Sequence, residues 1–286
     1  MNGRTRLWLL LPALVLLAIM LVFPLGYMLR MSFMETDTVA MKVIRPWTLL
    51  AYERALTDSF YLGIFVKTLV LSMITTFVVI FTGFPLAIML WRASIRWRGP
   101  LTILVLSPLL VSVVVSTYGW SIVLGNHGLI NQTLMGLGLV TKPVKLMYTD
   151  LAIVIGLSHL LLPFMALSIL AALERIEIQL EEAAATLGAR SWQTFVYVIL
   201  PLAKPGLAAG TTIVFCLAMS AYVTPALLGG NGASFLTMVI YEQFAGVFNW
   251  PMGSALAVLL MLVGLLIVFV YIGALAGKNE RKAVRV

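Results

Sequence analysis

The sequence predicts an all-α membrane protein that crosses the bilayer several times, and three observations support this. Of its 286 residues, 62% are hydrophobic and only 10% are charged, whereas a soluble domain carries about 25% charged residues. The apolar residues form long uninterrupted runs, and lysine and arginine are concentrated in alternate connections between those runs. A soluble chain of this length could not bury so much apolar surface, so the protein needs lipid around it.

Six apolar runs each reach the roughly 20 residues that a spanning helix needs. Only helices and closed barrels satisfy the backbone in lipid, and continuous apolar runs lack the alternation of a barrel strand. The first run exceeds the apolar region of about 7–15 residues found in signal peptides, so we expect it to be a retained helix. The predicted spans, within a single transmembrane domain over residues 1–286, are Leu7–Leu29, Leu62–Trp91, Leu101–Leu124, Leu151–Leu173, Leu207–Leu228 and Met252–Ala276.

The distribution of positive charge predicts the orientation. If the N-terminus is cytoplasmic, the inside segments hold more lysine and arginine than the outside segments, as expected for membrane proteins. Both termini should then be cytoplasmic, and the net charge of +8 largely reflects this bias, with no basic patch to indicate nucleic acid. The single cysteine, Cys216, excludes a disulfide framework, and the absence of a Cys/His cluster means that we expect no metal and no cofactor.

The segment between spans four and five, residues 174–205, carries the strongest pattern, and we call it the elbow. Apolar residues recur there at helical spacing, Gly188 is placed to end that helix in a left-handed cap, and Ser191 is expected to cap a second short helix. The apolar stripe of the first helix consists of Ile176, Leu180, Ala183 and Leu187.

Acidic residues occupy another face of the first predicted elbow helix, at Glu174, Glu177 and Glu181. A short amphipathic helix beside a membrane lies on lipid or inserts into a groove of a partner protein. The inner leaflet is anionic and repels acidic residues, which favours the protein partner.

The elbow also contains a recognisable motif. Glu182-Ala183-Ala184, three residues, Gly188, nine residues, Val198, one residue and Leu200-Pro201 resemble the EAA motif of ABC importer permeases, with Val198 where the family has isoleucine. The rest of the chain resembles permeases of the spermidine/putrescine type, and more the first than the second permease of the usual pair. That wider resemblance is carried by Pro24, Ser32-Phe33, Thr48–Leu56, Phe84–Ala87, Gly128–Asn131, Leu162–Phe164 and Phe215–Gly230.

The resemblance implies the six-helix permease fold of type I ABC importers in a bacterial inner membrane. It implies that the elbow acts as a coupling helix in a groove of a cytoplasmic ATPase dimer, beside a second permease, expected to be a different chain, and a periplasmic substrate-binding protein. The chain has no GxxxxGK[ST] loop, so we expect ATP hydrolysis in the partner and no enzyme activity in this chain. The expected ATPase-coupling residues are Glu181, Glu182, Ala183, Ala184, Gly188, Leu200 and Pro201.

Polar residues inside two predicted spans are candidates for the translocation path. His159 lies in span four, and Ser220, Tyr222 and Thr224 interrupt span five. Ionisable and hydroxyl groups at this depth line a path or cavity in some membrane proteins and pack against neighbouring helices in others. Both interpretations remain open from the sequence.

Alternative functions differ in class and in substrate. A polyamine is the expected substrate, but related permeases carry ferric iron, phosphonate, thiamine or opines. An intramembrane enzyme using Ser158 and His159 is disfavoured because adjacent helical residues point about 100° apart. A secondary transporter usually needs intramembrane carboxylates, and the six predicted spans contain none.

Overall fold

The structure is a computed structural model that describes residues 3–37, 42–230 and 235–283, and most of these residues are helical. Two short strands, β1 (Glu35–Asp37) and β2 (Lys42–Arg45), form an antiparallel hairpin that the all-α prediction did not include. A π-helical turn, Phe195–Ile199, joins the ninth and tenth helices. The helices are α1 (Gly3–Ser32), α2 (Leu50–Thr57), α3 (Ser59–Arg92), α4 (Ile95–Leu110), α5 (Val113–Leu124), α6 (Leu129–Gly136), α7 (Asp150–Leu173), α8 (Ile178–Thr186), α9 (Ser191–Thr194), α10 (Leu200–Met219), α11 (Val223–Leu228), α12 (Leu236–Ala245) and α13 (Trp250–Ala283).

The chain divides into two compact units, and the boundaries fall inside α3 and α13. The first unit comprises Met1–Phe65 and Leu236–Val263, and the second comprises Val66–Phe235 and Gly264–Val286. The elbow and every candidate residue for coupling or translocation lie in the second unit.

Aromatic packing holds the first unit together at the end of α1. The ring of Phe33 lies 5.2 Å from the ring of Tyr52 and 6.3 Å from that of Trp47. The hydroxyl groups of Ser32 and Tyr52 are 2.6 Å apart, which ties α2 to the end of α1. These contacts attach α2 and the segment before it to the end of α1.

The second unit is built around α7, which packs closely against α10 through two glycines. A Cβ atom at Gly206 would lie 2.6 Å from the Cβ of Ala172, and one at Gly210 would lie 2.7 Å from the sulfur of Met165. Any larger residue would therefore push the helices apart. In lipid, where apolar burial drives helix association little, such small residues allow the close contact that holds helices together.

Five described helices are long and apolar enough to cross a membrane, and a bent pair could make a sixth crossing. The five are found in the segments Val15–Ser32, Ser59–Arg92, Asp150–Leu173, Ser191–Met219 and Trp250–Tyr271. Six crossings remain a prediction, since that number counts the bent pair as one span.

Predicted span three, Leu101–Leu124, is not one helix. The helix stops at Leu110 and restarts at Val113, and the chain bends by 96° between Ile95–Leu110 and the stretch Val113–Gly136. Pro108 removes a helical hydrogen bond in the preceding turn, and the β-branched valines around the break favour extended backbone. The pattern of apolar residues gave no sign of this break, because a broken and a straight span are equally apolar.

Predicted span five, Leu207–Leu228, is also divided. Its first helix, α10, ends at Met219, and α11 begins at Val223 after a short non-helical segment. Pro225 has no N–H to donate to the carbonyl of Ala221, so a continuous helix would lose a hydrogen bond there. The break contains Ser220 and Tyr222, and Thr224 is the second residue of α11; these three residues also interrupt the apolar character of the sequence.

Candidate functional site

The elbow folds into two short helices separated by a tight turn. Gly188 adopts φ +81° between α8 and α9, so the left-handed cap forms where the sequence predicts it. The amide of Gly188 donates to the carbonyl of Ala185 at 2.9 Å, and the amide of Ala189 donates to that of Ala184 at 3.0 Å. These bonds satisfy carbonyls that the end of α8 would otherwise leave free.

The second elbow helix is capped differently from the prediction. Its N-cap is Arg190 rather than Ser191, and the side-chain oxygen of Gln193 accepts a hydrogen bond from the Arg190 amide at 2.7 Å. Ser191 is already the first helical residue and makes no capping bond. Gln193 can reach back to the N-cap amide because it is the third helical residue, which is the geometry of a capping box.

The π-helical turn explains how the motif's proline fits into the return helix. Pro201 is the second residue of α10, and the Leu200 amide bonds back to the Phe195 carbonyl, five residues earlier. A proline ring in a regular helix would clash with the carbonyl four residues before it. The wider π turn at Phe195–Ile199 makes room for that carbonyl, so α9 and α10 continue without a break.

The two adjacent glutamates of the motif have different surroundings. Glu181 pairs with Arg92 at the end of α3, with 3.1 Å between Oε2 and Nη2, and its side chain is 26% exposed. Glu182 is exposed and makes no ion pair within the part of the chain that the structure describes. Glu181 is therefore engaged inside the chain, whereas Glu182 is available to a partner.

Most of the predicted apolar stripe lies open on this chain, although α8 begins only at Ile178, so that Ile176 precedes the helix and Leu187 is its C-cap residue. Leu187 is 88% exposed, Leu180 is 44% exposed and Ala183 is exposed as well, while Ile176 is buried. Large exposed apolar side chains that share one helix face mark a contact surface.

Grooves flank this stripe on two sides. One of about 560 Å³ is lined by residues of α7, α8 and α10, among them Leu180 and Pro205. Another of about 580 Å³ lies among Arg92, Glu182 and Ser191. The exposed stripe and its flanking grooves make the elbow a surface that another protein can cover.

The remaining coupling candidates are divided between two helices. Ala183 and Ala184 lie on α8, and the Cβ of a residue at Gly188 would meet no atom within 4 Å. Leu200 is half-buried and Pro201 is exposed, both at the start of α10. These residues therefore lie on α8, in the turn after α8 and at the start of α10.

The two broken spans meet at a second site. The hydroxyl oxygens of Thr117 on α5 and Thr224 on α11 lie 3.2 Å apart in a buried contact. Three residues along α5, the ring of Trp120 contacts the ring of His159 on α7, edge to face, with centroids 5.6 Å apart. Residues three apart share a helix face, so one face of α5 touches both α7 and α11.

His159 has an unusual polar environment. Its Nδ1 atom and the hydroxyl of neighbouring Ser158 are buried without a hydrogen-bond partner in the described structure. Pro163 also leaves the His159 carbonyl without its helical donor. Buried unsatisfied polar groups are costly and few in folded proteins, and each calls for a water, a ligand or a conformational change.

The structure separates the candidates for the path. Thr224 is buried and lies close to Gly156 of α7, where a Cβ would be 2.9 Å from its methyl group. Ser220 is exposed and donates to the Leu217 carbonyl at 3.2 Å, and Tyr222 is 36% exposed. Thr117, Trp120 and Gly156 are not among the residues predicted for the path. The available signal was the polar and aromatic pair Thr117/Trp120, three residues apart in an apolar run.

We expect Gly188→Val to destabilise the elbow and Gly188→Asn to be tolerated better. A branched residue at φ +81° pays roughly 1–2 kcal/mol of backbone strain, whereas asparagine adopts this conformation more readily. Hydrogen exchange of the α8 and α9 amides measures the difference. Equal exchange in the two variants would show that the left-handed cap does not hold the elbow.

The comparisons with known proteins agree with this architecture. Residues 4–281 match the family described as binding-protein-dependent transport system inner membrane component. The spermidine/putrescine transport system permease protein PotB of Haemophilus influenzae is 36% identical over 216 residues, which are 76% of each chain. PotB of Escherichia coli is 33% identical over 240 residues, 84% of this chain and 86% of that one.

Solved structures show a similar fold. A bacterial ABC transporter involved in the import of the acidic polysaccharide alginate contains a chain that matches with a TM-score of 0.76 at 20% identity, covering 94% of this chain and 96% of that chain. A chain of the MetNI methionine ABC transporter matches with a TM-score of 0.58 at 22% identity, covering 76% of this chain and 94% of that chain. The arrangement of helices is therefore that of ABC importer permeases.

Proposed function

The chain belongs to the family of binding-protein-dependent transport system inner membrane components, and we propose that it conducts a polyamine through an ATP-driven importer. Family membership and the apolar helices make it a multi-pass inner-membrane protein. The observation that carries the mechanism is the elbow, whose capped first helix presents an exposed apolar stripe.

The elbow has the properties of a helix that seats in a partner. Leu180 and Leu187 would each leave water when covered, and burial of such a side chain contributes about 1.5–3 kcal/mol. The acidic Glu182 beside them disfavours the anionic lipid surface as the occupant. The partner that fits an ATP-driven importer is a cytoplasmic ATPase dimer, so we assign the elbow to the cytoplasmic side, and with six crossings both termini would lie there as well.

The division of labour follows from this placement. ATP hydrolysis belongs to the ATPase dimer, a second, different permease completes the path, and a periplasmic binding protein delivers the solute. Glu182, Ala183, Ala184 and Gly188 would contact the ATPase, with Leu200 and Pro201 setting the direction of the return helix. Glu181 acts from within the chain through Arg92.

The translocation path is assigned to the region where the broken spans meet. Non-helical backbone at membrane depth is tolerated only where protein or a water-filled cavity surrounds it, and discontinuous helices frame substrate sites in many transporters. His159, Tyr222 and Thr224 supply weakly polar groups and an aromatic ring that can attract an amine. Ser220 lies in the same break.

The polyamine assignment rests on the relatives named for spermidine and putrescine transport. A path with hydroxyl groups and aromatic rings, but no carboxylate in its predicted spans, would hold a polycation weakly and let it pass. Selection would then rest on the binding protein.

The test is uptake by the whole importer in proteoliposomes, formed by this chain, its second permease, its ATPase and its binding protein. We expect uptake of labelled spermidine or putrescine with ATP and none with ADP. Uptake without ATP or without the ATPase would contradict the importer. ATP-driven uptake of ferric iron, a phosphonate, thiamine or an opine, with no polyamine uptake, would contradict the substrate alone.

We expect Glu182→Lys to reduce uptake at least about tenfold or to release the ATPase, because it reverses a charge at the contact. A buried interfacial charge left without its partner typically costs 2–5 kcal/mol. Glu177→Lys is the matched control, since it makes the same charge reversal at the exposed N-cap residue of α8, five residues and about 140° around the helix from Glu182. ATPase co-purification and uptake are measured together, and normal values for Glu182→Lys would remove this residue from the interface.

We expect His159→Phe to reduce uptake severalfold while thermal stability stays unchanged. Phenylalanine keeps an aromatic ring against Trp120 but removes the nitrogen that lacks a partner. Parallel measurements of uptake and of the unfolding temperature in detergent separate the two interpretations of His159. Lower stability with normal uptake would identify it as a packing residue.

A further inference from the structure

Two ion pairs fasten the elbow to the corner between α3 and α4. Arg92, the last residue of α3, pairs with Glu181 of α8 at 3.1 Å. Arg98, in the first turn of α4, pairs with Glu174, the residue that directly follows α7. The corner itself is only a few residues long, so both arginines project from one short stretch of chain.

Two attachment points constrain the elbow more than one would. A helix held by a single contact can pivot about it, whereas two contacts seven residues apart along the elbow also fix its direction. The first pair holds α8 itself, and the second holds the point where the chain leaves α7. Each arginine pairs with a glutamate, one on α8 and one at the end of α7, so the attachment depends on the sign of the charges as well as on their positions.

The partial exposure of these four side chains suits ion pairs that must hold while the helices around them move. The side chains are between 26% and 59% exposed, and such pairs contribute little to overall stability. Their effect is on orientation, because a charge-assisted hydrogen bond is directional.

The corner leads directly to the translocation region. α4 is 16 residues long and spans about 24 Å at 1.5 Å per residue. Its far end is the break at Val111–Ser112, after which α5 contacts α11 through Thr117 and Thr224. A single helix, α4, therefore joins the ion-paired corner to the break that precedes α5.

We propose that the Arg92–Glu181 and Arg98–Glu174 pairs make α4 a strut that transmits movement of the elbow to the broken spans. The four side chains are positioning residues that need not touch the solute or the ATPase. This inference rests on the proposed importer function, because it assigns the elbow as the element that an ATPase moves. Contiguity alone does not establish coupling, so the test measures coupling directly.

The experiment exchanges the charges of one pair in the complete importer in proteoliposomes. Arg98→Glu and Glu174→Arg are made singly and together, and solute taken up per ATP hydrolysed is measured beside the amount of co-purified ATPase. We expect each single variant to lower this ratio roughly two- to fivefold, as for loss of a half-exposed pair, and the double variant to restore most of it. The same exchange of Arg92 and Glu181 should behave alike.

Arg96→Glu is the matched control. Arg96 lies on α4 between the two paired positions, is exposed, and makes no ion pair with any residue that the structure describes. The same charge reversal there should leave the ratio unchanged. A loss equal to that of Arg98→Glu would mean that net charge at the corner matters and the pair does not.

Several outcomes would overturn the inference. Single variants with a normal ratio and intact ATPase binding would do so, as would a double variant no better than the singles. If a reversed charge prevents assembly, Arg98→Gln and Glu174→Gln give the same cycle, and additive losses would count against coupling between the two residues.

A second measurement separates this inference from the proposed function. In the purified full-length chain, hydrogen exchange in α8 should be faster in each single variant and slower again in the charge-exchanged double variant. A wild-type complex that takes up no solute with ATP would refute the proposed function. If the wild type transports solute, but the variants change neither hydrogen exchange in α8 nor the amount of solute taken up per ATP, then only the proposal about the strut is refuted.

Discussion

The hydrogen-bonding requirement of the backbone in lipid governs this structure. The hydrocarbon offers no water to replace a missing partner, so helices must be continuous unless other parts of the protein surround the break. This chain has two described breaks in its predicted spans, after Leu110 and after Met219. The helices that follow these breaks, α5 and α11, meet through Thr117 and Thr224. The two breaks therefore lead into one region beside α7.

Close helix packing provides the frame in which that region can exist. Gly206 and Gly210 bring α10 against α7, and Gly156 brings α11 near the same helix. In lipid, these small residues stabilise the helix contacts because they allow close van der Waals approach. In a soluble core, large apolar side chains stabilise such contacts by excluding water. The Ser158 hydroxyl and the His159 Nδ1 atom are buried in this unit without a hydrogen-bond partner among the described residues, and each such group calls for a water, a ligand or a conformational change.

The elbow has a different requirement, because its backbone must be well ordered while its apolar side chains stay exposed. The left-handed Gly188 and the π turn before Leu200 fix its shape by backbone geometry, so order does not depend on burying the apolar stripe. Leu180 and Leu187 remain exposed for a partner. Ion pairs from the α3–α4 corner then orient this surface.

The sequence by itself determined the membrane character, the mostly helical fold, the left-handed turn at Gly188 and the family, because these depend on local composition, spacing and glycine's conformational freedom. The sequence could not predict where span three breaks, or that Ser191 is the residue after the N-cap of α9. The spacing of apolar residues carries no information about which groups satisfy the hydrogen bonds of the backbone. Only the tertiary structure decided that Glu181 and Glu174 pair with arginines of α3 and α4 and that Trp120 faces His159. Such contacts join residues far apart in the chain, and their existence depends on how the helices pack rather than on any local pattern.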